Sequence, residues 1–171
     1  MNIRKVVAII VVAGTVIVAP SAQFPTHAQG SGNPGAEEGV RKAAERFYAA
    51  LNQMFTGDAA PILAAWSHAR DVTDMGPFGN RSVGWDQVRQ EFEREAKMKM
   101  GGKVEPRDMV VGADRDLGYV VCVERGENLS AGGQPVSVEI RSTSIFRLEE
   151  GQWKIVHHHT DPAPKLARAA H

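Results

Sequence analysis

Residues 135–160, PVSVEIRSTSIFRLEEGQWKIVHHHT, carry the pattern that decides the fold. Residues 135–148 form a long run rich in β-branched side chains, and Glu150-Gly151 is a turn pair. A second run, 152–160, follows and ends at Pro162 and Pro164. Two extended runs around a glycine turn read as a β-hairpin. Working back, Gly132-Gly133 marks another turn, preceded by candidate strands at 117–127 and 103–112. The second half of the chain is therefore four successive antiparallel strands.

The first half has the helical period. From Glu37, the residues Val40, Ala44, Phe47, Leu51 and Phe55 fall on one stripe, and Arg41, Lys42, Glu45 and Arg46 lie mostly opposite. Gly57 ends this helix, and Asp58 caps a short one carrying Pro61 in its first turn. Residues 70–75 read as a short strand, and Gly76 to Asn80 as a turn. A third helix, 85–99, has an apolar face of Trp85, Val88, Phe92 and Ala96. Its charges, with Glu93–Lys97 and Glu95–Lys99 as i,i+4 pairs, are expected on the wet side.

Helices gathered at one end and hairpins at the other predict an α+β fold rather than a parallel α/β sheet. A long meander must twist and curl. With three N-terminal helices on its concave side, it leaves a cone-shaped interior suited to a small ligand.

The chain of 171 residues has room for one domain. Lys+Arg and Asp+Glu both number 20, so nothing argues for nucleic acid or an anionic surface as partner. Arg4 and Lys5, the apolar run 6–19 and Thr26-His27-Ala28 read as a signal peptide over 1–28, cleaved before Gln29. The expected organisation is signal 1–28, linker 29–36, domain 37–162 and a flexible tail 163–171. This predicts a secreted or periplasmic protein with no stable membrane anchor after cleavage. Cys122 is the only cysteine, so no internal disulfide can form; in its apolar strand it reads as a buried thiol.

Trp153 to Pro162, with two histidines separated by one residue after a tryptophan, resembles the C-terminal strand of SnoaL-like proteins of the nuclear transport factor 2-like (NTF2-like) superfamily. Arg141-Ser142-Thr143, Asp71-Val72-Thr73, Gly76-Pro77-Phe78-Gly79 and Ala49-Ala50-Leu51-Asn52 resemble further segments of that family, in order. The resemblance covers about residues 37–162. It implies an NTF2-like cone with a strongly curved, mainly antiparallel sheet, and a homodimer paired through the open sheet face. Steroid isomerases of this fold carry a Tyr in the first helix and an Asp just before the Pro-x-Gly turn. Here Phe47 takes the first position, with Tyr48 one residue along, and Asp74 is displaced by one. A one-residue step on a strand turns a side chain to the other face, so the resemblance does not carry isomerase chemistry with those two groups.

Strand alternation sorts the remaining candidates. Lys154 is the most easily solvated residue of the last strand, which places His157 and His159 inward with Trp153 and Ile155. Arg141 and Thr143 are expected on the same interior, Arg141 paired with Glu124. Asp71, Thr73 and Trp66 are expected on the opposite wall, with Phe78 and Trp85 near the mouth. A histidine there can act as a general base, and Arg141 can hold a carboxylate or enolate. The same set also reads as a structural polar network. Two histidines at i,i+2 can ligate zinc, but a third ligand among Glu124, Asp161 and His68 is not fixed by spacing, so no metal is expected.

The leading expectation is an exported domain that binds a small, partly apolar molecule without a cofactor. Cofactor-independent acid–base catalysis by His159 or His157 with Asp71 and Arg141 is the first alternative. A dimeric assembly module without ligand is the second.

Overall fold

The computed structural model describes residues 32–77, 81–131 and 133–162. The expected signal peptide, the start of the linker, Phe78 and the tail lie outside the described residues. The first helix, α1 (Pro34–Met54), begins within the expected linker rather than at Glu37. Asn33 explains this: its side chain accepts the Gly35 and Ala36 N–H groups at 3.1 and 3.2 Å, and Pro34 fits the first helical turn. Helix α2 (Ala60–Ala65) follows Asp58, whose carboxylate accepts the Ala60 N–H. Strand β1 (Thr73–Met75) and a short β2 (Ser82–Val83), absent from the sequence reading, precede α3 (Trp85–Met98). Then come β3 (Lys103–Ala113), β4 (Leu117–Ala131), β5 (Gln134–Glu149) and β6 (Gln152–Pro162).

The strands form one sheet in the order β2-β1-β6-β5-β4-β3. All neighbours are antiparallel except β1 and β6. The anticipated four-strand meander is present, and the chain's first strand docks against its last. The fold is the expected α+β arrangement, with a curved, mostly antiparallel sheet. Helix α1 packs on β3, β4 and β6 and so lies within the curl. Its predicted stripe is buried, including Val40, Ala44 and Phe47. Burying each large apolar side chain contributes roughly 1.5–3 kcal/mol.

Two features of the sheet set the interior. Along β5 the even positions Ile140, Ser142, Ser144 and Phe146 are buried, while Arg141 and Thr143 are exposed. In β6 the alternation breaks. Phe146 pairs with Ile155 but Ile145 pairs with His157, so Val156 is an extra residue, a β-bulge. Beyond the bulge the inward set becomes His158 and Thr160.

Candidate functional site

Polar side chains from four neighbouring strands meet on the concave face: Asp74 from β1, His158 from β6, Ser142 from β5 and Glu124 from β4. All four are buried. His158 Nε2 lies 3.1 Å from Glu124 Oε1 and 3.2 Å from Ser142 Oγ. Its Nδ1 lies 3.4 Å from Asp74 Oδ1, a charge contact without hydrogen-bond alignment. From α1, Tyr48 donates to Glu124 Oε1 at 3.0 Å, and its hydroxyl is 3.1 Å from Cys122 Sγ.

These contacts fix the charges. Burial alone would lower the His158 pKa, but Asp74 and Glu124 outweigh it and hold the imidazole up at about 10. Burial pushes the Glu124 carboxyl up, yet His158, Ser142 and Tyr48 bring it below its ordinary value. Burial likewise raises Tyr48, whose phenol stays neutral and donates. His158 is thus a fixed imidazolium between carboxylates, unsuited to serve as a free base near neutrality.

The network closes one end of a cavity of about 100 Å³. Phe47, Phe55 and Phe92 line it with aliphatic side chains from β3, β4 and β5, and Asp74, Glu95, Glu124 and His158 are its ionisable residues. Glu95 corrects the expectation of a wholly solvated charged face on α3. It sits three residues after Phe92 and seven after Val88, both buried, so it shares their face. Burial, then the charges of Asp74 and Glu91, push its carboxyl up to about 7. The expected Glu93–Lys97 and Glu95–Lys99 pairs give way to Arg89–Glu93 and Arg94–Glu91.

Of the expected site residues that are described, only Glu124 borders this cavity. His157 and His159 are turned to the outer face, because the bulge at Val156 shifts the alternation by one. His157 Nδ1 meets Thr73 Oγ1 at 2.7 Å there, placing Thr73 outside as well. Arg141 is exposed and pairs with Asp161 instead of Glu124, and Thr143 beside it is exposed. Asp71 is exposed and bound by Arg147 at 2.8 Å. Trp66 is core, packed against Phe92. Trp85 stacks on His68, ring centroids 3.9 Å apart, away from the cavity. The reading that displaced Asp74 also reverses: Val72 and Asp74 share the buried face of their segment. That signal was present in sequence, since an apolar residue two positions earlier marks the inward face.

The match to known proteins follows this geometry. Residues 40–163 match the model of the SnoaL-like domain. Among solved structures, one similar protein is named as a candidate dehydratase of the NTF2-like family from Streptomyces avermitilis. It has 24% identity and a TM-score of 0.66 over 75% of this chain and 96% of that one. A ketosteroid isomerase-like protein from Erwinia carotovora atroseptica has 19% identity and a TM-score of 0.60, over 75% and 97%. An NTF2-like superfamily protein from Salmonella enterica serovar Typhimurium has 13% identity and a TM-score of 0.65, over 79% and 96%. No curated protein matches. At these identities the structural likeness shows the fold, and the domain match shows the family: the chain belongs to the SnoaL-like domain family.

Proposed function

We propose that this protein is exported and binds a small, partly apolar molecule in its cone. The observation that carries the reading is the cavity of about 100 Å³, walled by phenylalanine and aliphatic side chains and closed at one end by a polar network. An apolar pocket with a few convergent polar groups is the usual form of a small-molecule site. The volume is modest beside the ~150 Å³ that holds a benzene, so a larger ligand would extend through the mouth. The test is native mass spectrometry of protein purified from its source. A stoichiometric small molecule, lost in Val138→Phe, supports the reading. Its absence from every preparation refutes it. Amino-terminal sequencing should find Gln29 first, and an intact leader on the exported protein would refute cleavage there.

Acid–base turnover is the second reading, and Glu95 favours it. A carboxyl held near neutrality is matched to giving and taking protons at physiological pH. The isomerase-like and dehydratase-named structures share the fold and lend it plausibility. In this reading Glu95 and Asp74, rather than His157 or His159, exchange the proton. Conversion that survives Glu95→Gln would exclude it.

Pairing of two copies through the outer sheet face is compatible with both readings. Val110, Tyr119 and Val121 are exposed there, alongside exposed His159 and half-buried His157. The mass measured in the native spectrum decides this point as well.

A further inference from the structure

The ionisable lining of the cavity is lopsided. Among the described residues it holds three carboxyl groups, from Asp74, Glu95 and Glu124, and a single base, His158, and no Lys or Arg borders it. His158 is already engaged, at 3.1 Å by Glu124 and at 3.4 Å by Asp74. Asp74 is 4% exposed, and its Oδ1 has no hydrogen-bond partner. A buried acceptor left unpaired is costly, and a ligand N–H would remove that cost. Three phenylalanine rings, Phe47, Phe55 and Phe92, stand around the same space, and aromatic faces attract cations.

An anionic ligand would meet the reverse. It would be desolvated among carboxyl groups with no free cationic donor among the described residues to receive it. A neutral alcohol would satisfy Asp74 Oδ1 but gain nothing from the remaining charge. Resting on the ligand-binding reading above, we propose that the cavity selects a compact apolar molecule bearing one protonated amine, with Asp74 and Glu95 as its counter-charges. The small volume restricts the enclosed part to a handful of heavy atoms.

Three probes of similar shape test this: isopentylamine, isopentanol and isovalerate, titrated calorimetrically into the purified full chain at pH 7. The amine should bind at least tenfold tighter than the alcohol, and isovalerate should show no saturable binding. Glu95→Gln and Asp74→Asn should each weaken the amine at least tenfold while leaving the alcohol within about twofold. The Glu95 variant keeps the test decisive if removing the Asp74 charge disturbs folding. Since Glu95 lies near neutrality in the free protein, amine uptake should also release protons, read from the dependence of heat on buffer, and Glu95→Gln should abolish that release. Equal or tighter binding of isopentanol or isovalerate, or an amine affinity unchanged in both variants, overturns the proposal. So does a neutral or anionic molecule found in the native mass spectrum, though the ligand-binding reading would then stand. If no probe binds and nothing co-purifies, the ligand-binding reading itself falls.

Discussion

His158 Nε2 sits 3.1 Å from Glu124 Oε1, and both side chains are almost fully withdrawn from water. Removing one partner of a buried ion pair strands the other charge. His158→Ala should therefore cost about 3–5 kcal/mol in urea unfolding. The folded pKa of about 10 lies above the ordinary 6.5, so the ring's stabilisation is complete below 6.5 and is lost as pH rises through 10. Wild-type stability should fall between about pH 6.5 and 10, and the His158 share of this fall should be missing from His158→Ala. A loss under about 1 kcal/mol at pH 7 would mean that the ring is not a buried cation.

Glu95 predicts the opposite kind of variant. Its carboxyl is raised to about 7 from an ordinary 4.5, so the native chain holds a proton that the unfolded chain has released. By linkage, Glu95 costs stability progressively as pH rises from about 4.5 to 7. Glu95→Gln, which keeps the shape and removes the charge, should stabilise the protein by about 1–3 kcal/mol at pH 8 and change little at pH 4. A destabilised variant at pH 8 would show that the charged form is favoured in the fold.

The sequence carried the fold because the fold depends on periodicity. The stripe Val40, Ala44, Phe47 and Leu51 and the alternating runs of the meander are repeated signals, and each was where the pattern put it. The site depends on single residues, and one inserted residue defeated it. Alternation through Trp153 and Ile155 predicts His157 and His159 inward; the bulge at Val156 substitutes His158. No local feature of Lys154-Ile155-Val156-His157 announces a bulge, which is visible only in the pairing with β5. Other misses were legible. Ile140 and Phe146 already imply that Arg141 and Thr143 point outward, and Val72 implies that Asp74 points inward. Glu95 was masked by its charge, although its spacing from Val88 and Phe92 puts it on the buried face.

The displaced histidines give a direct check on this parity. His157 is half-buried and bonded to Thr73, and His159 is exposed. His157→Ala removes one partly solvated hydrogen bond and should cost about 0.5–1.5 kcal/mol. His159→Ala should stay within about 0.5 kcal/mol of wild type. Neither should alter the affinity of a cavity ligand by more than about twofold. A large loss of affinity in both variants would put these rings inside the cone after all.

Cys122 and Tyr48 supply a kinetic test of how tightly the network is sealed. Cys122 is 5% exposed, its Sγ is 3.1 Å from the Tyr48 hydroxyl, and burial raises its pKa. Burial raises the pKa more than the Tyr48 hydrogen bond lowers it, and low exposure bars access, so a thiol reagent should label the native chain only through opening of the structure. Tyr48→Phe withdraws the donor from buried Glu124 and should cost about 1–3 kcal/mol. When opening is fast relative to labelling, the rate follows the open population, so a 2 kcal/mol loss should speed labelling roughly thirtyfold. Wild-type labelling at the rate of an unfolded peptide thiol would show that the strand bearing Cys122 is open in the native protein.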